Sequence, residues 1–293
     1  MDFDILNKAL RNPREAALRL HHLFNRRFLS RDGVRVMAED WDNLIILDAC
    51  RYDIFTEYAN FGGDLNKKIS RGSHTREFLV QNFAGETFPD TVYISATPQL
   101  QSTEVHTQFH DYAPLWETAW DENLKTVPPD AVVSETMAVI ESHPNKRIIA
   151  HLLQPHYPFI GETGEELKHR TVSGEGIKQA DHLSIWERLD AGEVTEEVVW
   201  QAYVENLLIA LPAVKRLVSQ LPGRTVVTSD HGNAFGRWGV FGHPQYKFMK
   251  ELVEVPWMVF EAEERRNVKA EGVNVTGVGD SVIEERLQHL GYA

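Results

Sequence analysis

Aspartate and histidine side chains follow an apolar, β-branched run in the last third of the chain. The run extends from Thr225 to Ser229 and is followed directly by Asp230, His231 and Gly232. A carboxylate oxygen beside an imidazole nitrogen is a mixed ligand set that suits Zn²⁺ or Mn²⁺. Glycine then lets the backbone turn tightly away. The pattern predicts a buried strand whose end carries a metal-binding pair.

Two further apolar runs lead to residues of the same types. The run 43–47 ends at Asp48, and the run 147–153 leads to His156. In an open α/β sheet, ligands bind at the carboxyl ends of the parallel strands. Three such strands together predict one site at this edge. His151, midway along its run, is interpreted as a core histidine with satisfied hydrogen bonds rather than as a ligand.

Composition limits the class of protein. The chain has 293 residues, 42% of them apolar, which suffices for one large α/β core. Its net charge of −13 argues against nucleic acid as a partner. The single cysteine, Cys50, excludes a disulfide framework and is compatible with a reducing compartment. The sequence has neither a bilayer-length apolar run nor the residue order of a signal peptide, so we expect a cytoplasmic protein.

Short apolar runs alternate with helical patterns along the chain. This alternation predicts an α/β fold with a mostly parallel central sheet and helices on both faces. The clearest helix covers 202–221, and we expect Pro212 to kink it. The other predicted helices cover 51–60, 75–83, 131–142 and 282–290, and the predicted strands cover 43–47, 91–96, 147–153, 225–229 and 256–260.

Two segments differ from this pattern. Residues 1–35 form a predicted basic helical arm, which either packs on the main domain or contacts an anionic membrane surface or a partner. A membrane contact of this kind places the protein at the inner membrane face. The stretch 161–192 is polar and rich in glycine, and it is predicted to be an insertion or a lid. Residues 36–293 are predicted to form a single catalytic domain.

The motifs resemble those of a known family. The stretches 43–53, 154–159 and 229–232, together with His243, are similar to the alkaline phosphatase superfamily. They resemble most its sulfatase-like branch, which includes phosphodiesterases and the lipid phosphoethanolamine and glycerol-phosphate transferases. The twelve-residue step from His231 to His243 matches the step between metal-binding and substrate-binding histidines in the lipid-modifying enzymes.

The resemblance implies a metal centre and a nucleophile. Asp48, Asp230 and His231 would hold a divalent ion, Zn²⁺ or Mn²⁺ before Ca²⁺ or Mg²⁺. A hydroxyl on the loop after the first helix would be the nucleophile. Ser73 is favoured because it aligns with the nucleophile of the glycerol-phosphate transferases. Thr75 is the alternative, and it could also serve as a helix N-cap.

Four further residues are implied at the site. His156 and His243 would bind substrate, protonate the leaving group or hold a second metal. Arg51 and Arg71 would contact substrate oxygens through paired hydrogen bonds, unless they are solvated surface residues.

Departures from the family narrow the expected chemistry. Neither Cys50 nor Ser73 has the flanking residues of a formylglycine sulfatase, and the residues at 151–156 favour one metal over two. We expect a metal-dependent hydrolase or transferase of a phosphate or sulfate ester, borne by a small molecule, a glycan or a lipid intermediate. The alternative is a non-catalytic sulfatase-like binding or assembly protein.

Overall fold

The computed structural model describes residues 33–167, 183–270 and 280–291, and its centre is a seven-stranded sheet. The strands are β1 (Asn43–Asp48), β2 (Asp64–Ile69), β3 (Phe88–Ser95), β4 (Phe109–Pro114), β5 (Arg147–Pro155), β6 (Thr225–Ser229), β7 (Ala234–Phe235), β8 (Phe241–Gly242) and β9 (Glu254–Phe260). The main sheet has the order β2-β9-β6-β1-β5-β3-β4, and β7 and β8 form a separate hairpin.

The main sheet is mostly parallel, as predicted. Strands β6, β1, β5, β3 and β4 run in one direction, and β9 is antiparallel to both β6 and β2. Strand β1 is central and is buried on both faces. Leu44 and Ile46 belong to one hydrophobic core, whereas Ile45 and Leu47 belong to the other. Alternate side chains of a strand point to opposite faces, so one apolar run can supply both cores.

Helices cover both faces of the sheet. The helices are α1 (Tyr52–Tyr58), α2 (Thr75–Phe83), α3 (Gln99–Ser102), α4 (Leu115–Thr118), α5 (Pro129–Ser142), α6 (Glu162–Glu166), α7 (Ile185–Asp190), α8 (Glu196–Gln220), α9 (Lys250–Val253) and α10 (Asp280–His289). Helices α5 and α8 pack against β5 on one face. Helix α2 contributes Phe78 and Phe83 to the core on the opposite face.

Two strands of the main sheet were not predicted, and both lie at its edges. Strand β2 pairs only with β9, and β4 pairs only with β3. Most of their residues are polar or partly exposed, so they carry no apolar run. Helix α8 also begins earlier than predicted, where the Thr195 side chain caps it, and it continues through Pro212.

Parts of two predicted segments lie outside the described residues. These are residues 1–32 of the basic arm and residues 168–182 of the predicted lid. The division into an arm and one catalytic domain therefore stays a prediction. Among the described residues, none of the helices combines the length and apolar character needed to cross a bilayer.

Helix α8 holds the loop that follows β5. Asn206 is fully buried, and its Nδ2 donates to the carbonyl oxygens of Pro155, at 3.1 Å, and His156, at 2.8 Å. Its Oδ1 accepts from the Ile160 N–H at 3.0 Å. Buried backbone groups need such partners, so this one amide fixes the loop that carries His156.

We expect Asn206→Ala to lower the free energy of unfolding by roughly 2–3 kcal/mol, because it leaves buried backbone groups without partners. Denaturant unfolding measures this loss. Gln201→Ala is the control, since Gln201 is exposed on the same helix and bonds only with Glu205 among the described side chains. An equal loss in both variants would show that the loop contacts contribute nothing.

Candidate active site

Two buried carboxylates lie at the carboxyl ends of neighbouring parallel strands. Asp48 ends β1 and Asp230 follows β6, and both are fully buried. The backbone N–H groups of Ala49 and His231 donate to Asp230 Oδ1 at 3.0 and 2.8 Å. The φ angle of Ala49 is 58°, in the left-handed region that disfavours a side chain. The backbone is thus held in a costly conformation where it orients an acid.

His231 completes a cluster of electron-pair donors. Its Nδ1 lies 2.8 Å from the carbonyl oxygen of Gly232. Since a carbonyl only accepts, Nδ1 carries a hydrogen, and Nε2 is the nitrogen with the lone pair in the neutral form of the ring. That Nε2 lies 3.3 Å from Asp230 Oδ2 and 3.7 Å from Asp48 Oδ1. Two carboxylates and a nitrogen lone pair that converge in a buried space are suited to hold a cation.

Position 232 requires a glycine because a side chain would not fit there, and not because of its φ angle. A Cβ at this position would lie 2.1 Å from the carbonyl oxygen of Glu251. The Gly232 N–H also donates to the carbonyl oxygen of Leu252. Close backbone packing against the segment before β9 therefore fixes the turn that follows His231.

His151 lies on the buried side of the two acids. Its Nε2 is 3.9 Å from Asp48 Oδ2, and ligand atoms of Asp48, His151 and Asp230 lie within 4.8 Å of one another. Its Nδ1 lies 2.8 Å from the Tyr93 hydroxyl. Within the described part of the chain, Nε2 has no hydrogen-bond partner. His151 is a core residue, as predicted, but its hydrogen bonds are not satisfied, and it forms part of a group that can hold a divalent metal.

Thr75 is the first residue of α2 and faces the same cluster. Its Oγ1 lies 3.1 Å from His231 Nε2 and 3.4 Å from Asp48 Oδ2. It is not the N-cap, because that position belongs to His74, whose Nδ1 accepts from the Arg76 N–H. The Thr75 hydroxyl therefore lies at a helix N-terminus, where backbone N–H groups favour an anion.

The Ser73 hydroxyl is directed elsewhere. Its Oγ lies 2.9 Å from Glu77 Oε2 and 3.0 Å from the Pro244 carbonyl oxygen, and it accepts from the Lys247 N–H at 3.0 Å. The chain passes close to α2 here, since a Cβ on Gly72 would lie 2.4 Å from the Phe78 nitrogen. Of the two predicted nucleophiles, the structure places Thr75 rather than Ser73 beside the acids.

His156 and His243 form a second group of donors. Their Nε2 atoms are 3.3 Å apart. His156 Nδ1 faces the Tyr157 carbonyl oxygen, and His243 Nδ1 lies 2.8 Å from Asn233 Oδ1. Both Nδ1 atoms therefore carry hydrogen, and both Nε2 atoms present lone pairs to each other. The His243 ring centroid is only 4.8 Å from that of His231, which joins this pair to the first cluster.

Four of the buried histidines are neutral at physiological pH. Burial is the largest cause that lowers the pKa of His74 and of His156 to about 3, and the nearby His231 ring contributes to both shifts. Burial and the nearby His231 ring lower the pKa of His151 to about 4. The pKa of His243 lies well below 6.5, because of burial and then because of His156. Neutral imidazoles are the form that binds metals.

The carboxylate of Asp230 stays ionised. Burial alone would raise its pKa, but the His231 and His151 imidazoles and the Ala49 N–H outweigh this effect and lower it. A buried carboxylate beside imidazoles is a ligand set that suits a metal ion.

The two predicted substrate-binding arginines have partners outside this cluster. Arg51 pairs with Asp53, lies over the Trp200 ring at 4.9 Å and donates to the Asn233 carbonyl oxygen. Arg71 donates to the carbonyl oxygen of Gln81. Substrate contact by these two side chains stays a prediction.

Sequence reasoning missed His74 and Asn233 and misjudged His151. His74 stands between the two candidate nucleophiles, and Asn233 follows the Asp-His-Gly motif directly. Proximity to these motifs was the only available indication. For His151, the indication was a polar residue inside an apolar strand four positions before Pro155, where burial requires a partner.

The metal-free protein should lose stability as the pH falls from about 6.5 toward 3. A histidine with a folded pKa near 3 binds its proton in the unfolded chain first, so acid favours unfolding. For His156 alone we expect a loss on the order of 2 kcal/mol between pH 7 and pH 5. Denaturant unfolding at both values, after chelation, measures it.

The matched variant is His156→Gln, which cannot titrate. Its loss of stability between pH 7 and pH 5 should be smaller than that of the unsubstituted protein. An identical loss would contradict the assignment of a depressed pKa to this residue.

Solved structures with the same fold are available for comparison. The soluble domain of lipooligosaccharide phosphoethanolamine transferase A from Neisseria meningitidis is 12% identical, with a TM-score of 0.51, and the match covers 80% of this chain and 81% of that one. The C-terminal periplasmic domain of EcEptC from Escherichia coli is 13% identical, with a TM-score of 0.50 and coverage of 79% and 76%. The integral membrane form of the Neisseria meningitidis protein is 11% identical, with a TM-score of 0.51 and coverage of 80% and 50%.

Comparisons at the level of sequence gave no match. Neither a scan of protein families nor a search of curated proteins matched this chain.

The predicted cytoplasmic location, including the inner membrane face, is contradicted by these structures. The similar Escherichia coli domain is periplasmic, and the full Neisseria meningitidis protein is an integral membrane protein. The prediction depended on a single cysteine and on the lack of a long apolar run. Neither property distinguishes a cytoplasmic domain from one that works outside the cytoplasm.

The fold that the resemblance implied is confirmed. The chain has the fold of these phosphoethanolamine transferase domains.

Proposed function

We propose that this protein is a metal-dependent transferase or hydrolase of a phosphate ester and that Thr75 is its nucleophile. One observation supports this most directly. Thr75 Oγ1 lies at the N-terminus of α2, 3.1 Å from His231 Nε2 and 3.4 Å from Asp48 Oδ2. A hydroxyl in that position is beside both the cation ligands and the helix amides that favour an anion.

Asp48, Asp230 and His231 hold the metal in this proposal, with His151 on its buried side. Zn²⁺ or Mn²⁺ fits best, because the set mixes carboxylate oxygens with imidazole nitrogens. When bound, such an ion supplies positive charge that favours an ionised hydroxyl and neutralises phosphoryl oxygens.

Thr75 performs the covalent step. Its Oγ gives up its proton to solvent and forms a bond to phosphorus while the bond from phosphorus to the ester oxygen breaks, and that oxygen takes up a proton from solvent. The product is a phosphothreonine. An acceptor hydroxyl or water then gives up a proton and bonds to phosphorus, and Thr75 Oγ leaves and takes up a proton. The N-terminal amides of α2 orient the phosphoryl oxygens during both steps. The burial of Thr75 excludes water and strengthens these contacts.

His156 and His243 provide a second cation position. Two nitrogens bound to one tetrahedral Zn²⁺ at 2.0–2.1 Å lie about 3.3 Å apart, which is the separation of their Nε2 atoms. The sequence favoured one metal over two, and the facing lone pairs of this pair support a second. In this proposal, the His156 and His243 rings also line the path by which the leaving group departs.

The substrate class follows from the similar structures and the site together. One of those proteins transfers phosphoethanolamine to lipooligosaccharide, according to its name. We propose a phosphate ester of a lipid or a glycan rather than a sulfate ester. The non-catalytic alternative is less well supported, because nucleophile and metal ligands occur in one buried cluster.

We expect Thr75→Ala to lower the rate of ester hydrolysis at least about 1000-fold, because it removes the nucleophile. The substrates are p-nitrophenyl phosphate and bis-p-nitrophenyl phosphate with Zn²⁺ or Mn²⁺, and p-nitrophenyl sulfate tests the alternative ester. Mass spectrometry of quenched protein should locate a phosphoryl group on Thr75.

The control is Thr136→Val, which removes a buried hydroxyl that bonds within α5. It should retain full activity. Full activity in Thr75→Ala as well would refute the proposed nucleophile.

We expect Asp230→Asn to lose metal affinity and activity together while the protein stays folded. The substitution keeps the size of the side chain but removes the buried negative charge that the cation balances. Isothermal titration with Zn²⁺ and circular dichroism measure the two properties. Full Zn²⁺ affinity in this variant would place the metal elsewhere.

A further inference from the structure

Two buried side chains connect the start of α2 to a distant loop. Glu77 Oε2 accepts from the Ser73 N–H at 2.8 Å, and Glu77 Oε1 accepts from the Tyr246 N–H at 2.7 Å. Ser73 Oγ accepts from the Lys247 N–H at 3.0 Å, and its own hydrogen faces Glu77 Oε2 and the Pro244 carbonyl oxygen. Both side chains are almost completely buried.

The loop that they hold begins at His243. Its residue Tyr246 has a φ angle of 58°, in the left-handed region that costs free energy for a residue with a side chain. Surrounding contacts must maintain such a conformation. The bond from the Tyr246 N–H to Glu77 lies at that residue, so Glu77 stabilises the turn directly after His243.

The other end of the connection is the segment that carries Thr75, the proposed nucleophile. Ser73 lies two residues before Thr75, and Glu77 lies two residues after it in the first turns of α2. The contacts therefore join the segment that carries Thr75 to the segment that carries His243. These segments are about 170 residues apart in sequence, as the Ser73–Pro244 and Glu77–Tyr246 bonds show.

We propose that Ser73 and Glu77, the loop clamp, are positioning residues that set the distance between Thr75 and His243. The inference depends on the proposed function, since it assigns Thr75 as nucleophile and His243 to the second cation position. It gives Ser73, which the sequence favoured as nucleophile, a different role. Ser73 does not bond to substrate but holds the loop against α2.

The geometry explains why such a clamp is needed. His243 is bonded through Nδ1 to Asn233, on the same hairpin segment. That bond fixes the orientation of the ring within its own segment but not its distance from α2. A displacement of about 1 Å at a reacting centre can lower a rate about 100-fold. The loop clamp supplies three hydrogen bonds across this gap, from two side chains.

Hydrogen exchange tests the loop directly, without turnover. In metal-free Ser73→Ala, the amides of His243 and of residues 245–247 should exchange roughly 5-fold faster, since one buried hydrogen bond is worth about 1 kcal/mol. Peptides from β1 and β6 should exchange at the unsubstituted rate. Thr136→Val, which loses a buried hydroxyl on α5, should change neither region.

Kinetics and metal titration test the positioning role in the full chain. With p-nitrophenyl phosphate, Ser73→Ala should lower kcat roughly 10- to 100-fold and change KM less than about 2-fold. Zn²⁺ titration should show weaker binding of one equivalent only. The phosphoryl group should still be found on Thr75 by mass spectrometry.

Glu77→Gln provides an independent variant. A Gln side chain has one amide oxygen for the N–H groups of Ser73 and Tyr246, so one of them faces an NH₂ group. The double variant with Ser73→Ala should be no slower than the slower single variant, because both act through one set of contacts.

Four results would overturn the inference. A phosphoryl group found on Ser73 would make that residue the nucleophile. Unchanged exchange and unchanged kcat in Ser73→Ala would leave the proposed function intact and remove the loop clamp. Full activity of Thr75→Ala would instead refute the proposed function, and the positioning role with it. Additive losses in the double variant would show that the two residues act separately.

Discussion

The central constraint on this structure is that two carboxylates and a histidine nitrogen are buried together. Asp48 and Asp230 carry carboxylates with no exposure to solvent, and the Nε2 lone pair of His231 points between them. No arrangement of these three groups is favourable without positive charge. Polar groups around them are correspondingly ordered. Ser229 Oγ accepts from the Cys50 N–H, and the Tyr203 hydroxyl holds the Ala49 turn.

The sheet explains why these groups meet. Strands β1 and β6 are parallel neighbours, with Leu47 opposite Ser229, so the residues that follow them leave the sheet at the same edge. Strand β5 lies on the other side of β1 and delivers His156 there. The helices then determine how the segments that follow the strands are oriented. Helix α8 orients the loop after β5, and helix α2 brings its N-terminus over the acids.

Some of the site could be predicted from the sequence because a strand fixes where its end lies. Asp48, Asp230 and His231 each follow an apolar run, so their convergence required only the assumption of a parallel sheet. Whether Ser73 or Thr75 faces the acids could not be predicted in this way. They lie two residues apart on an irregular loop, and only the three-dimensional path of that loop decides which hydroxyl faces the acids.

Other parts of the structure could not be predicted for distinct physical reasons. Arg51 and Arg71 are near the motifs in sequence, but a long side chain can reach in any direction, and in this structure theirs bond to Asp53 and Gln81. Strand β2 was missed because edge strands need no apolar run. His151 was misjudged because burial alone does not reveal whether both ring nitrogens have partners.

The dispersal of the cation ligands along the chain has a consequence for folding. They come from positions between residue 48 and residue 243, and only the folded sheet assembles them. An unfolded chain therefore has no comparable site, and any cation that occupies this one binds the native state alone. Its free concentration then adds to the stability of the folded protein by mass action. In this protein, a chelator would lower the free energy of unfolding without acting on the chain itself.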